Sequence, residues 1–336
     1  MRSSSVLGIG HSVLDSELGD PSPAEARADA DPAPSVCGVV VTYRPDPIEL
    51  DRTLAAVAPQ VAALVVVDNA TPETDLVTFA EAAGTAGAVL LRQADNLGLA
   101  AAQNAGIAWA REHGHTHVLL LDQDSVPGAG MVDALIGALR ELSGAQRVAG
   151  VGPRFRDHRE DRDAPFVRVA FPMSHKIRCG ANGKPVPVDF LISSGTLIPM
   201  AVLDDVGGVD DELFIDNVDL DWCFRVRARG YRLFGVCAAT MEHRLGDHRQ
   251  AVLGGCATVV THGPVRLYYI MRNRITLYRR PHTPRVWIAQ DVPRVLVKFV
   301  IFGVLVGPRA RNIHYMLRGL LDGMRGRLGP CPLVTV

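Results

Sequence analysis

Asp122 and Asp124 stand two residues apart at the end of the apolar run Thr116–Leu121 (THVLLL). Side chains at i and i+2 of an extended chain share one face. Two carboxylates on one face, with no Lys or Arg beside them, repel each other, and a divalent cation relieves that repulsion. Hard oxygen ligands suit Mg²⁺ or Mn²⁺, completed by phosphate oxygens. Such an ion stabilises the charge of a departing diphosphate. The competing reading is an Asp-rich turn before Pro127. The place of the pair after a buried strand favours a metal.

A second acidic group, Asp216, Asp219 and Asp221, lies on one short stretch. Mutual repulsion raises a carboxyl pKa into the range of a general base. Asp is also common at helix N-caps, so both readings of Asp219 stand. A base on an acceptor hydroxyl, opposite a metal on a leaving diphosphate, is the requirement for one direct displacement. A single displacement inverts the configuration and needs no covalent nucleophile.

The elements that would hold these acids alternate. Val36–Thr42, Val61–Val67, Ala88–Arg92 and Thr116–Leu121 read as short buried strands. Helices are expected over Asp46–Val57, over Leu76–Ala83 and from Asn96 to about Glu112. The pattern predicts βαβ units around a mostly parallel sheet, an α/β fold. Ligands of such sheets bind beyond the carboxyl ends of the strands. Tyr43-Arg44, Asp68-Asn69 and Asp122-Gln123-Asp124 all fall there. Further helices are expected over Met131–Leu142, Pro199–Val206 and Asp219–Arg229, with strands at Val148–Pro153 and, last of all, Tyr231–Val236. Phe166–Ile177 and Val186–Ile192 suggest an antiparallel excursion.

The 336 residues carry a net charge of −1, which hides an asymmetry. From His262 onward there are thirteen Lys and Arg against two acids. A basic, apolar tail on an acidic body suits membrane lipid or a phosphorylated acceptor, and Arg272 and Arg274 are candidates to meet a diphosphate. Val295–Val306 is too short to span a bilayer. It reads either as a helix lying in the interface or as a buried helix of the domain. The six cysteines form no CxxC pair and read as reduced thiols of a cytoplasmic protein. Residues 1–35, rich in Ser, Pro, Ala and Asp, read as a disordered leader without a signal peptide.

Taken together, VVVTYRP (39–45), VVVDNAT (65–71), DNLGLAAAQNAGI (95–107), LLLDQDS (119–125), SSGTLIP (193–199), GGVDDELFIDNVDLDWCFRVRARGYRL (207–233), MEHRLGD (241–247) and YYIMRNRITLYRR (268–280) resemble the family 2 glycosyltransferases of GT-A fold. Within them the chain is similar to the rhamnosyltransferases that use dTDP-L-rhamnose. The resemblance implies a Rossmann-like GT-A catalytic domain over 36–247, with a nucleotide-sugar half (36–130) and an acceptor half (131–247). A helical, basic extension over 248–336 would follow, in possible contact with the membrane. It further implies that Thr42, Tyr43, Arg44, Asp68 and Asp95 meet the nucleotide, and that Asn96, Gly98, Asn104 and Gly106 shape its wall. Asp122 and Gln123 would lie against the donor, and Ser194 and Gly195 near its sugar. Asp122, Asp124 and His243 would hold Mg²⁺ or Mn²⁺. Asp219 falls at the position of the base, with Asp221 two residues on. Val218 stands where many members have Glu, which leaves the choice among Asp216, Asp219 and Asp221 open.

Several residues keep two readings. His243 is a ligand or a structural histidine. Ser193–Thr196 contact a donor sugar or merely lead into a helix. Trp222 and Phe224 meet the acceptor or pack in the core. The expected partners are a nucleotide-diphosphate sugar and a glycan or lipid-linked acceptor at the inner face of the cell membrane. No nucleic acid is expected, and an oligomer is left open. A UDP-sugar-dependent galactofuranosyl- or other hexosyltransferase is the nearest alternative. A non-catalytic sugar-nucleotide-binding protein is the more distant one. A dinucleotide oxidoreductase would need GxGxxG after the first strand, and VVVTYRPDP has none. A nucleotidyltransferase would need a Gly-rich first loop, also absent.

Overall fold

A computed structural model describes residues 33–156, 163–180, 183–243, 248–252 and 257–334. All but the last few residues of the expected leader lie outside these. The first half alternates as expected. β1 (Val36–Thr42), α1 (Pro47–Val57), β2 (Ala63–Asp68), α2 (Glu73–Thr85), β3 (Val89–Arg92), α3 (Leu99–Glu112) and β4 (His117–Asp122) follow one another. Then come β5 (Ser125–Pro127), α4 (Met131–Ser143), β6 (Val148–Arg156), β7 (Phe166–Arg168), β8 (His175–Ile177), β9 (Val186–Val188), β10 (Leu197–Pro199) and α5 (Met200–Val206). A 3-10 turn at Asp211–Leu213 leads to α6 (Val218–Ala228), β11 (Arg232–His243), β12 (His248–Val252) and β13 (Ala257–Thr261). The helices α7 (Pro264–Tyr278), α8 (Arg285–Val300) and α9 (Arg309–Arg325) close the chain. Pro34–Val336 group into one unit.

The central sheet runs β3-β2-β1-β4-β10-β6-β11-β5, with β9 paired to β11. The β3-β2-β1-β4 half is parallel, while β10, β5 and β9 run antiparallel to their neighbours. β1 is buried at every residue because helices cover both faces of the sheet. Val39 and Val41 pack with Ile107 of α3 and Trp222 of α6 on one face. Val40 packs with Leu50 and Leu54 of α1 and Leu135 of α4 on the other. The chain leaves β1 toward β2 on one side and has β4 on the other, so a crevice opens at their carboxyl ends. Thr42 is in register with Asp68, and Val41 with Asp122. Asp46 caps α1, its carboxylate accepting from the Ile48 and Glu49 N–H groups at 2.9 and 3.3 Å.

Gly106 sets how closely α3 approaches β1. A Cβ there would sit 2.2 Å from Cγ1 of Val39. Gly106→Ala gains about 1 kcal/mol of helix propensity but overpacks the core, which costs about 1–3 kcal/mol. A lower thermal midpoint is expected, read by calorimetry.

Three expectations are corrected. The strand expected over Tyr231–Val236 runs on to His243, and the β12–β13 hairpin follows it. Apolarity marks only its buried first half. Beyond Cys237 it alternates buried and exposed residues at the sheet rim. Second, the cysteines are not all thiols, because Cys179 and Cys237 form a disulfide with Cα atoms 5.5 Å apart. They are 58 residues apart in sequence, so no spacing rule announces the pair; the chain after β8 meets β11 only in the folded state. Cys37, Cys223 and Cys331 are free and buried. Third, Arg272 is not available to a diphosphate. It is fully buried and donates to the Glu212 and Leu213 carbonyls and to that of Gly329.

The closing helices pack closely where glycines allow it. A Cβ on Gly319 of α9 would lie 2.4 Å from the Tyr268 carbonyl oxygen of α7. Within Val295–Val306, Val295 and Phe302 are buried, whereas Leu296, Val297, Val300 and Val304 are exposed. Among the described residues, no helix is long and apolar enough to cross a membrane.

Candidate active site

The crevice at the ends of β1 and β4 holds a cavity of about 660 Å³. Thr42, Tyr43, Asn69, Asn96 and Gly98 form one wall, and Asp122, Gln123 and Asp124 the floor. Ser193, Phe214, Ile215, Asp219, His243 and Arg266 close the other side.

The floor is built by register. β5 is antiparallel to β11, and Ser125 is directly opposite His243. The imidazole therefore arrives beside the acid pair, with Nδ1 3.7 Å from Oδ1 of Asp124. Ligand atoms of Asp122, Asp124 and His243 lie within 4.8 Å of one another. Two carboxylates and an imidazole at that spacing are a donor set for a divalent cation, and the residues present fit one. A hydroxyl chain steadies the group: Ser194 Oγ donates to Ser125 Oγ at 2.6 Å and accepts from the Asp122 N–H at 3.0 Å. Ser125 Oγ is in turn 2.7 Å from His243 Nδ1.

Opposite the floor stands Asp219. It is the second residue of α6, not its N-cap, which is Asn217. The approach to α6 is strained, with positive φ at Phe214, Asp216 and Asn217. Helix α7 holds that approach in place. The Asn273 side-chain amide donates to three carbonyls, those of Leu213, Ile215 and Asp216, at 2.9, 2.8 and 2.8 Å. Arg266 forks onto the Asp216 carboxylate at 3.1–3.2 Å. Burial raises the Asp219 carboxyl to about 6; the Asp216 and Asp122 carboxylates push the same way, against the Leu220 N–H that donates to it. Asn273→Ala would orphan the carbonyls and lower stability by about 1–3 kcal/mol. It is expected to reduce turnover more than donor affinity, as measured by urea unfolding and steady-state kinetics.

The other acids have different surroundings. Asp221 is fully buried outside the cavity, 2.5 Å from Arg280 and 2.8 Å from His282. Burial alone would raise its carboxyl, but the His282 and Arg280 contacts outweigh burial and lower it. Asp216 is committed to Arg266.

The remaining candidates divide. Thr42, Tyr43, Asn96, Gly98 and Gln123 line the cavity. Gln123 Oε1 accepts the Tyr43 N–H at 2.8 Å and ties the wall to the floor. Gly98 has φ +91, and a Cβ there would meet the Phe214 carbonyl oxygen at 2.6 Å. Asp68, fully buried under the wall, accepts from the Thr71 N–H at 3.1 Å. Arg44 stands at the rim with its N–H on Thr71 Oγ1. Asp95 is exposed and does not line the cavity. Asn104 grips both the N–H and the carbonyl of Val209 and so pins the loop before α6 to α3. Gly195, with φ +81, fits where a Cβ would strike Pro153 at 2.7 Å. Trp222 and Phe224 are core. Sequence reasoning missed Phe214, Ile215 and Arg266. Asn69 follows a strand-end Asp and was legible, whereas Arg266 lies 50 residues from its partner Asp216 and carried no local sign.

A half-parallel sheet with a metal-competent acid pair at its switch point, facing a carboxyl held near 6, defines a GT-A type transferase site. The profile described as "Glycosyltransferase like family 2" matches residues 33–266, and the chain belongs to that family: it is a glycosyltransferase that uses a nucleotide sugar. It is 29% identical to the dTDP-rhamnosyl transferase RfbF of Shigella flexneri, over 88% of this chain and 97% of that one. Its fold is similar to that of GalNAc-T7 with UDP, GalNAc and Mn²⁺ (TM-score 0.56, 13% identity). That match covers 88% of this chain but only 57% of the other. It is also similar to the mannosyltransferase PcManGT of Pyrobaculum calidifontis in complex with GDP-Man and Mn²⁺. There the TM-score is 0.52 at 14% identity, with 88% and 90% covered.

Proposed function

We propose that this glycosyltransferase inverts configuration, moving L-rhamnose from dTDP-L-rhamnose onto a hydroxyl of a cell-surface polysaccharide or lipid-linked glycan. The observation that carries the reading is that Asp122, Asp124, His243 and Asp219 line a single cavity. The similarity to a dTDP-rhamnosyl transferase supports the choice of sugar.

Asp122, Asp124 and His243 would hold Mg²⁺ or Mn²⁺, which supplies charge stabilisation to the leaving nucleoside diphosphate. Thr42, Tyr43, Asn69 and Asn96 wall the nucleotide, and Ser193 lies by the sugar. Asp68, Asn104, Ser194 and Gly195 act behind the wall. Asp219 accepts the acceptor's proton as its oxygen bonds to the anomeric carbon and the bond to the diphosphate breaks. Asp221 steadies α6 through Arg280 and His282.

The division into a catalytic domain over 36–247 and a helical, basic extension over 248–336 is part of this proposal, with Arg266 of the extension reaching back to line the cavity. The exposed Leu296, Val297, Val300 and Val304 support peripheral contact with the inner face of the membrane. The Cys179–Cys237 bond is the feature that does not fit a reducing compartment.

A thermal-shift series of dTDP-, UDP- and GDP-sugars with Mn²⁺ or Mg²⁺ tests the donor. Ligand at 100 times its Kd stabilises by about 2.7 kcal/mol, and dTDP-rhamnose is expected to give the largest shift. A larger shift with a UDP-sugar would replace rhamnose by a hexose such as galactofuranose.

A further inference from the structure

Asp219 borders a second cavity, of about 480 Å³, on the side away from the nucleotide wall. Its charge is the reverse of the first. Lys176, Arg274, Arg294 and Lys298 line it, together with Asp216, Asp219 and Asp291. Two of those acids are already matched. Asp291 takes Arg274 at 3.1 Å and the Tyr278 hydroxyl at 2.6 Å, and Asp216 takes Arg266. Among the described residues, no carboxylate pairs with Lys176, Arg294 or Lys298. Lys298 is half-buried, and burial lowers its ammonium to about 8.

Lys176 and Arg294 are exposed and Lys298 is half-buried with its ammonium over the Phe302 ring, so the three set positive charge around one concavity with no carboxylate among the described residues paired to them. They favour a ligand with about two negative charges and several acceptor oxygens, which is the chemistry of phosphate. Arg294 and Lys298 are four residues apart on α8 and so project from one face of it. Asp291 and Trp287 continue that stripe along the cavity. The exposed apolar residues Leu296 and Val300 lie on the other side of the helix, so the cations face the site and not the outer apolar strip.

We propose that this cavity is the acceptor subsite and that the acceptor is gripped there by a phosphate group, through Lys176, Arg294 and Lys298, with its reacting hydroxyl beside Asp219. The inference rests on Asp219 being the base. A phosphate on the acceptor accounts for the Lys176, Arg294 and Lys298 side chains that line this cavity beside Asp219 without a paired carboxylate among the described residues.

The test is calorimetric titration of inorganic pyrophosphate into the full chain with EDTA present, so that no metal holds the anion at Asp122 and Asp124. Arg294→Ala/Lys298→Ala is expected to weaken binding by about tenfold or more, and Arg294→Lys/Lys298→Arg to restore it. Asp124→Asn is expected to bind within about twofold of wild type, as no contact is removed. Equal binding by the double alanine variant, loss in Asp124→Asn, or no binding to wild type overturns the subsite. Phosphatidylglycerol vesicles form a second arm. If the double variant loses vesicle binding and pyrophosphate fails to compete, the cations serve lipid headgroups and the proposal fails. Binding of dTDP-rhamnose with Mn²⁺ to wild type is read separately, so failure of the donor reading is distinguishable from failure of this one.

Discussion

Asp219→Asn is expected to lower transfer by about 10²–10⁴-fold, the range of general-base catalysis, while nucleotide binding persists. The amide keeps the shape and the contact to the Leu220 N–H but cannot accept the proton. Because burial raises the Asp219 carboxyl to about 6, wild-type kcat/KM should rise with pH and level off above that value. The sign for stability is the opposite. An acid whose folded pKa is raised favours the fold while protonated and loses that contribution as pH rises from its ordinary value through about 6. Asp219→Asn should therefore melt higher than wild type at pH 8 and nearly equal to it at pH 4. A variant that is inactive yet more stable at pH 8 is what a desolvated functional carboxylate predicts. Full activity in Asp219→Asn with loss in Asp221→Asn would move the base to Asp221.

The second large effect is expected from Asp124→Asn. Removing one carboxylate from a set of two acids and an imidazole leaves too little negative charge to hold a hard cation against water. Lewis-acid stabilisation of a leaving group is worth several kcal/mol, so turnover should fall by about 10³-fold or more, and EDTA should have the same effect on wild type. The fold should survive, because Asp124 is partly exposed at the cavity floor. Two readings check this: unchanged urea unfolding, and loss of the Mn²⁺-dependent thermal shift with nucleotide sugar. Metal-dependent turnover near the wild-type rate would remove Asp124 from the ligand set.

The strands β1, β2 and β4 were legible nearly to the residue because they are continuous apolar runs that end in polar residues. The three-residue strands β5 and β10 were not. Runs that short carry no period of their own, and they exist only because a neighbouring strand supplies their hydrogen bonds. Yet β5 is what brings His243 to the acid pair, through the register of Ser125 with His243. The same limit applied to which of two neighbouring acids lines the cavity. Residues two apart on a helix point about 200° apart, so only one of Asp219 and Asp221 faces the cavity, and local sequence does not say which. Arg280 and His282, some sixty residues downstream, decide it by capturing Asp221. The disulfide and the buried role of Arg272 were hidden for the same reason.

By itself the sequence determined what local periodicity and spacing can encode: an alternating α/β chain, polar residues at the carboxyl ends of its parallel strands, and an acid pair on one face of an extended segment. The tertiary structure alone decided which distant groups share a cavity with that pair, which carboxylate is desolvated and which is neutralised, and where the unmatched cations gather. Those outcomes depend on long-range register and on the packing of α7 and α8 against α6. Burial and pairing across such distances set the pKa values and ligand geometry on which the chemistry depends.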